Sequence, residues 1–358
     1  MKIDKETYFK RQTTLPEIGK EGQDLLQNAS VLVLGCGGLG SPVAIYLATS
    51  GVGNLHLVDF DLVSTSNLHR QTFYKINDIG NSKAETLARE VSKRAPFTEV
   101  TYSDFCVDKS NILKLISKVD VVVDCTDSLP VKYLINEACV LEKKPLVYGS
   151  LYKFDGYVAT FNVLKNEEYT CNLRDAFPKI ATDVQTCEEA GTLNPIVGII
   201  ALFQVNEVIK LITKTGNLLT NRLLIYNALN NSQIKIKLKP NKDINIAEIF
   251  KNTNYLERSC AVQDNNHLIS AEELNIKLND DRVEIISLLN SKYAKLPFMV
   301  NQRIPYKIFE IDRFQPSYEK EYVFVCQRGI TSYEITKKLK DKFPELKVLS
   351  LAEGIINY

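Results

Sequence analysis

The 358-residue chain has no tryptophan, only two methionines and three histidines, and almost no net charge. With 44 Lys+Arg against 43 Asp+Glu, the formal charge of +1 gives no global field that would favour nucleic acid or an anionic membrane as partner. Three scattered histidines offer no metal cluster. Long apolar runs are also missing. The opening MKIDKETYFKRQTT has no apolar h-region, so no secretory signal is expected and the reading is cytoplasmic. The best candidate for a membrane span, residues 194–212, is interrupted by Gln204, Asn206, Glu207 and Lys210, so no span is expected. No solenoid-length repeat or low-complexity segment occurs.

What is present is an ordinary globular balance, 45% hydrophobic and 24% charged. At roughly 150 residues per domain the length suggests two or three domains. Eight cysteines (36, 106, 125, 139, 171, 187, 260, 326) in a cytoplasmic chain are expected to stay reduced.

Residues 30–35 (SVLVLG), 54–59 (NLHLVD), 119–125 (VDVVVDC) and 145–149 (PLVYG) read as buried parallel strands. They alternate with helical patterns at 39–50, 82–94 and 130–141, with Ser82 and Glu85 at capping-box spacing. This predicts an α/β fold: a Rossmann-like, doubly wound, mostly parallel sheet. Strand patterns at 157–164, 222–226 and 233–238 add an antiparallel extension. The divisions are 1–245 for the first domain, 246–267 for a linker and 268–358 for a small second α/β domain.

Gly35, Gly37, Gly38 and Gly40 of GCGGLG follow the first strand and open a helix, where bare backbone N–H groups and a helix N-terminus can take a phosphate. Asp59 ends the second strand, where a carboxylate can hold a ribose hydroxyl. A glycine loop with one such acid fits an NAD-dependent oxidoreductase equally well. The following cluster of Asp61, Ser66, Asn67, Leu68, His69, Arg70 and Gln71, then Lys83, suits a triphosphate whose charge must be neutralised. Asp127, with Ser128 after the fourth strand, is either a helix cap or a Mg²⁺ ligand.

Together RQTTLPEIG, GCGGLGSPVAIYLATSGVG, VDFDLVSTSNLHRQ, NSKAE, VDCTDS and CEEAGTLNPIVG resemble the ThiF/MoeB family, over about residues 5–240. The resemblance implies ATP-dependent adenylation of the C-terminal glycine of a ubiquitin-like sulfur carrier of the MoaD/ThiS type ending in Gly-Gly. It further implies that Gly38 lines the phosphate loop, Asp59 holds the ribose, Asn67, Arg70 and Lys83 hold phosphates, and Asp127 holds Mg²⁺. Arg11 matches the arginine that enters a neighbouring subunit's site, which implies a homodimer. Cys187, in TCEEAGT, matches the cysteine that can take the activated carbonyl or link to sulfur. A catalytically silent adaptor for the same partner is the non-enzymatic alternative.

Many members of the family hold zinc through two CxxC pairs. Here the first reads Cys171-Asn-Leu-Arg174 and the second region, 239–244, has no cysteine, so no zinc is expected. The outer lobe should then be held by packing alone. Cys36, Cys106, Cys125 and Cys139 read as structural or incidental.

In the second domain, VFVCQRGITS resembles the rhodanese loop, CxxGxxS between a strand and a helix. Cys326 would carry a persulfide supplied by a donor such as a cysteine desulfurase, with Arg328 lowering the thiol pKa. Rhodaneses carry an Asp-x-Arg pair after the first strand where this chain reads Ile286-Ser287-Leu288-Leu289, so the domain is expected to be partly degenerate.

Overall fold

In the computed structural model, residues 3–180, 191–253, 255, 265–289, 296–327, 329–352, 354, 355 and 358 are described. The chain divides into two compact units, Met1–Leu256 and Glu257–Tyr358.

The first unit is built on an eight-stranded sheet. Its parallel part comprises β1 (Ser30–Leu34), β2 (Asn54–Val58), β3 (Glu99–Ser103), β4 (Val121–Asp124) and β5 (Leu146–Tyr152), in the spatial order β3-β2-β1-β4-β5. The antiparallel extension is β6 (Asp155–Phe161), then β9 (Arg222–Asn227) and β10 (Ser232–Lys237), while β7 (Leu164–Lys165) pairs with β8 (Glu168–Tyr169) apart from the main sheet.

Strand β1 shows why its run is apolar throughout: Val31 and Val33 enter one core, and Leu32 and Leu34 the other. The first core packs against α3 (Gly40–Thr49), α4 (Lys83–Arg94) and α8 (Asn194–Thr213). The second packs against α5 (Ile112–Ile116) and α6 (Leu129–Leu141). Ahead of the sheet lie α1 (Lys5–Thr13) and α2 (Gly19–Asn28), and α7 (Leu173–Ala176) follows β8. Because β1 sits between β2 and β4, their connections diverge at its carboxyl end and leave a crevice there.

Helix α8 is long and apolar enough to cross a membrane by length and composition alone. Two of its polar interruptions, Gln204 and Glu207, are core anchors rather than breaks. Gln204 Nε2 donates to the Asp124 carbonyl at 2.8 Å, and Glu207 Oε2 accepts the Leu219 N–H at 2.7 Å and the Thr160 hydroxyl at 2.5 Å. Both side chains are buried on the sheet beside Ile200 and Val208.

The expected linker also begins as structure. Residues Ile246–Asn252 form α9, with Asn245 capping at the Glu248 N–H, and Ile246 and Tyr255 are buried. Phe250 packs on the same core as α6, so apolar spacing here outweighs the surrounding asparagines.

The second unit has a wholly parallel five-stranded sheet in the order β11-β15-β14-β12-β13. Its strands are β11 (Leu268–Ile269), β12 (Val283–Ser287), β13 (Gln302–Arg303), β14 (Glu321–Val325) and β15 (Lys347–Leu351), with helices α10 (Ala271–Lys277) and α11 (Ile330–Lys342). Ser270 and Glu273 close a reciprocal capping box at the start of α10. Where a charged brace was expected to be missing, the backbone and apolar packing serve. Leu288 N–H donates to the Val325 carbonyl at 2.8 Å, and Ile286 and Leu288 share a core with Phe324 and Cys326.

Candidate active site

The crevice of the first unit brings together three strand ends: the glycine loop after β1, Asp59 after β2 and Asp127 after β4. Gly35 has φ +90°, and a Cβ there would lie 2.7 Å from the Cys125 carbonyl, so only glycine turns the chain at this point. A Cβ at Gly40 would overlap the Gly35 carbonyl, which fixes how closely α3 starts above the strand. Gly37 faces Gln71, and Gly38 lies against Val197 and Arg70. Tyr74, which the sequence pattern does not single out, ties the loop to α4 by donating to the Cys36 carbonyl at 2.6 Å and the Lys83 carbonyl at 3.2 Å.

Asp59 accepts the Cys36 N–H at 2.6 Å and the Asp61 N–H at 2.8 Å, so the carboxylate is oriented by backbone donors. Burial, then Asp61, raise its pKa while Lys83 and these N–H groups lower it, and the result is pushed up to about 6. Lys83 is buried at the first turn of α4, with Nζ 2.7 Å from Asp61 Oδ2. Burial alone would discharge it, but Asp61 and Asp59 outweigh this and hold the ammonium above its ordinary range, with Asp127 adding to the same field.

The segment after β2 places the remaining cation. A short 3₁₀ turn, Thr65–Asn67, lets Arg70 donate to the Ser66 carbonyl at 3.1 Å and to Asn67 Oδ1 at 2.9 Å. Arg70 also donates to His69 Nε2 at 3.0 Å, which puts the imidazole proton on Nδ1. His69 is exposed, and Leu68 packs partly buried on the core. Gln71 is buried, with Oε1 lacking a hydrogen-bond partner.

Asp127 is exposed and caps nothing, since Ser128 is the residue at the N-cap of α6. A single free carboxylate facing a cation-lined crevice fits Mg²⁺ held mainly by substrate phosphates. Among the described residues no group of three or more His, Cys, Asp or Glu could hold a metal by itself.

Arg11 stands exposed on α1, beside Gln12, whose amide donates to the Ser50 carbonyl at the far end of α3. A ten-residue helix spans about 15 Å, so Arg11 is not brought to the glycine loop of its own chain. Cys187 lies outside the described residues, as does Arg328. Cys36, Cys125, Cys139 and Cys171 are buried free thiols, and burial pushes those of Cys36 and Cys139 far up. Cys106 departs from expectation in being disulfide-bonded.

The lobe where zinc is not expected is held by more than packing. Arg174 Nε donates to Glu137 Oε1 at 2.6 Å, and its guanidinium lies over the Tyr133 ring at 4.5 Å. Asp175 accepts the Asn241 N–H at 2.7 Å, and Lys242 pairs with Glu168 at 2.9 Å. These bonds join the two loops whose cysteine pairs would share the metal.

In the second unit Cys326, 4% exposed, directly follows β14, and α11 starts after Gly329, which has φ +74°. Ser332 brings its hydroxyl to 3.2 Å and its N–H to 3.4 Å from Cys326 Sγ.

A glycine loop, strand-end acids and clustered cations at the carboxyl edge of a doubly wound sheet define a nucleotide-binding α/β domain. The ThiF family matches residues 9–246, and the chain belongs to that family. It is 31% identical over 404 residues to adenylyltransferase and sulfurtransferase MOCS3 of Dictyostelium discoideum, covering 98% of this chain and 93% of that protein. Sulfur carrier protein adenylyltransferase of Thermus thermophilus is 38% identical over 237 residues, covering 65% of this chain and 87% of the relative. Probable adenylyltransferase/sulfurtransferase MoeZ of Mycobacterium tuberculosis is 38% identical over 256 residues, 71% of this chain and only 64% of MoeZ's own length. The fold is also that of E. coli MccB solved with MccA-N7isoASN, at TM-score 0.59 and 22% identity, over 67% of this chain and 73% of MccB.

Proposed function

We propose that this chain is an ATP-dependent adenylyltransferase for a ubiquitin-like sulfur-carrier protein ending in Gly-Gly. The carrying observation is the joint arrangement of Asp59, Lys83, Arg70 and Asn67 around the glycine loop, where an NAD enzyme would have no use for the two cations.

In this reading the carrier's terminal carboxylate attacks the α-phosphorus of ATP. A new P–O bond forms, the bond to the β-phosphate oxygen breaks, and pyrophosphate leaves with its electron pair. Asp59 holds the ribose. Arg70 and Lys83 offset charge at the phosphates, Lys83 turning from Asp61 to do so. Asp127 would hold Mg²⁺, which supplies further charge neutralisation when bound. Arg11 serves the site of a second copy in a homodimer. Sulfur from a cysteine desulfurase is carried as persulfide on Cys326. Its outer sulfur attacks the activated carbonyl, AMP leaving, to form an acyl disulfide. A second thiol then attacks Cys326 Sγ, which releases the thiocarboxylate, for molybdopterin or thiamine synthesis in the cytoplasm, and leaves a disulfide between the two thiols. Cys187 is the candidate for a covalent intermediate with the activated carrier.

The test is ATP–pyrophosphate exchange with purified carrier. Exchange with a Gly-Gly carrier, and none when the last glycine is deleted, is expected. Binding of Mg²⁺-ATP without exchange on any such carrier would make the chain an adaptor instead.

A further inference from the structure

Ser350 lies on β15, outside the cysteine loop, yet its hydroxyl reaches that loop. Ser350 Oγ is 2.8 Å from Ser332 Oγ and 3.3 Å from the Gly329 carbonyl, while Ser332 Oγ is 3.2 Å from Cys326 Sγ. Both serines are fully buried, so their hydroxyls must be satisfied within this chain of contacts.

We propose that Ser350, acting through Ser332, is a positioning residue for the Cys326 thiol, the two hydroxyls forming a relay that ends on the sulfur. Ser350 O–H donates to Ser332 Oγ at 2.8 Å, with the Gly329 carbonyl a second, longer contact at 3.3 Å. Between Ser332 Oγ and Cys326 Sγ either atom can donate. When the thiol proton leaves to a solvent base, Ser332 O–H donates to the sulfur anion, alongside the Ser332 N–H at 3.4 Å. No proton passes between these groups. The Gly329 carbonyl also accepts the Tyr333 N–H at 3.1 Å, so neither state strands that buried polar atom. A hydroxyl that is itself hydrogen-bonded at its oxygen donates more strongly, which is how a residue beyond contact distance acts on the sulfur.

Among the described residues, the carboxylates on the surrounding elements are engaged elsewhere. Glu284 of β12 pairs with Lys320, Glu321 of β14 with Lys277, and Glu334 of α11 with Lys338, while Lys347 of β15 is exposed. Among the described residues, the polar contacts of Cys326 Sγ both come from Ser332.

The experiment is iodoacetamide labelling of the full chain across the neutral and alkaline range, following the Cys326 peptide by mass. Ser350→Ala should move the labelling midpoint up by about one pH unit, about tenfold less thiolate below it. Ser350→Thr should match the parent. Ser332→Ala should shift at least as far as Ser350→Ala, and the double variant no further than Ser332→Ala alone. A Ser350→Ala profile superimposable on the parent, or additive shifts in the double variant, overturns the relay. If Ser350→Ala does not fold, Ser350→Val against Ser350→Thr makes the same comparison, and equal midpoints overturn it. The inference rests on Cys326 as the sulfur-bearing thiol. Thiocarboxylate formation that survives Cys326→Ser would overturn that reading alone and leave the labelling profile as the measure of the relay.

Discussion

Arg174 and Glu137 form a buried ion pair, Nε to Oε1 at 2.6 Å, at the position where a CxxC motif would present its second thiolate. Burial pushes the Glu137 carboxyl up to about 7 even though Arg174 pulls it down, so the pair is held by tight geometry in a dry site. Truncating one partner leaves the other charge buried. Glu137→Ala is expected to destabilise the first unit by about 3–5 kcal/mol, read from denaturant midpoints. An unchanged midpoint would mean that the Asp175 and Lys242 bonds alone hold the lobe.

In the proposed reaction the cations and Asp127 of the crevice act on transition-state charge. Arg70→Ala, Lys83→Ala and Asp127→Ala should each lower ATP–pyrophosphate exchange by roughly a hundredfold or more, at unchanged secondary structure. Parent-level exchange in all three would remove the adenylation mechanism.

Nucleotide affinity should carry the titration of Asp59. In the proposed role the carboxylate binds a ribose hydroxyl, and burial pushes it up to about 6 from its ordinary 3.8. Affinity for ATP is therefore retained above that pH and lost below it, approaching tenfold per pH unit. Calorimetric titration at several pH values checks this. Asp59→Asn should bind weakly throughout and lose the step, and a flat profile in the parent would separate Asp59 from nucleotide binding.

Cys326→Ser should leave pyrophosphate exchange intact and abolish thiocarboxylate formation, measured by the intact mass of the carrier after ATP and a persulfide donor. Undiminished yield would reduce the second unit to a scaffold.

Gly40→Ala places a methyl group onto the Gly35 carbonyl, so expression as folded protein should fail or the melting temperature drop sharply. A normal melting curve would show that α3 can retreat from the strand.

The glycine loop, the strand-end acids and the alternating apolar runs were legible in sequence because each is local. A glycine that must sit at positive φ, or a strand buried on both faces, writes its requirement into consecutive residues. Asp59, Arg70 and Lys83 could be read as one cluster because the chain returns to the same sheet edge after β2. Other features arise from contacts between distant segments. Tyr74 bracing the loop, Glu207 anchoring α8, Asp175 meeting Asn241, and Ser350 reaching Ser332 have no local signature, since an isolated polar residue looks the same whether solvated or buried. The same holds for Phe250 and Tyr255, whose asparagine-rich surroundings read as linker until packing against the core gave them an inside. By itself, then, the sequence determined an α/β nucleotide-binding unit, its glycine loop and the lack of a second CxxC pair. Tertiary structure alone decided what joins the two loops where those pairs would lie and what surrounds the Cys326 thiol, because hydrogen-bond partners for buried polar groups are chosen by the fold and not by neighbours in the chain.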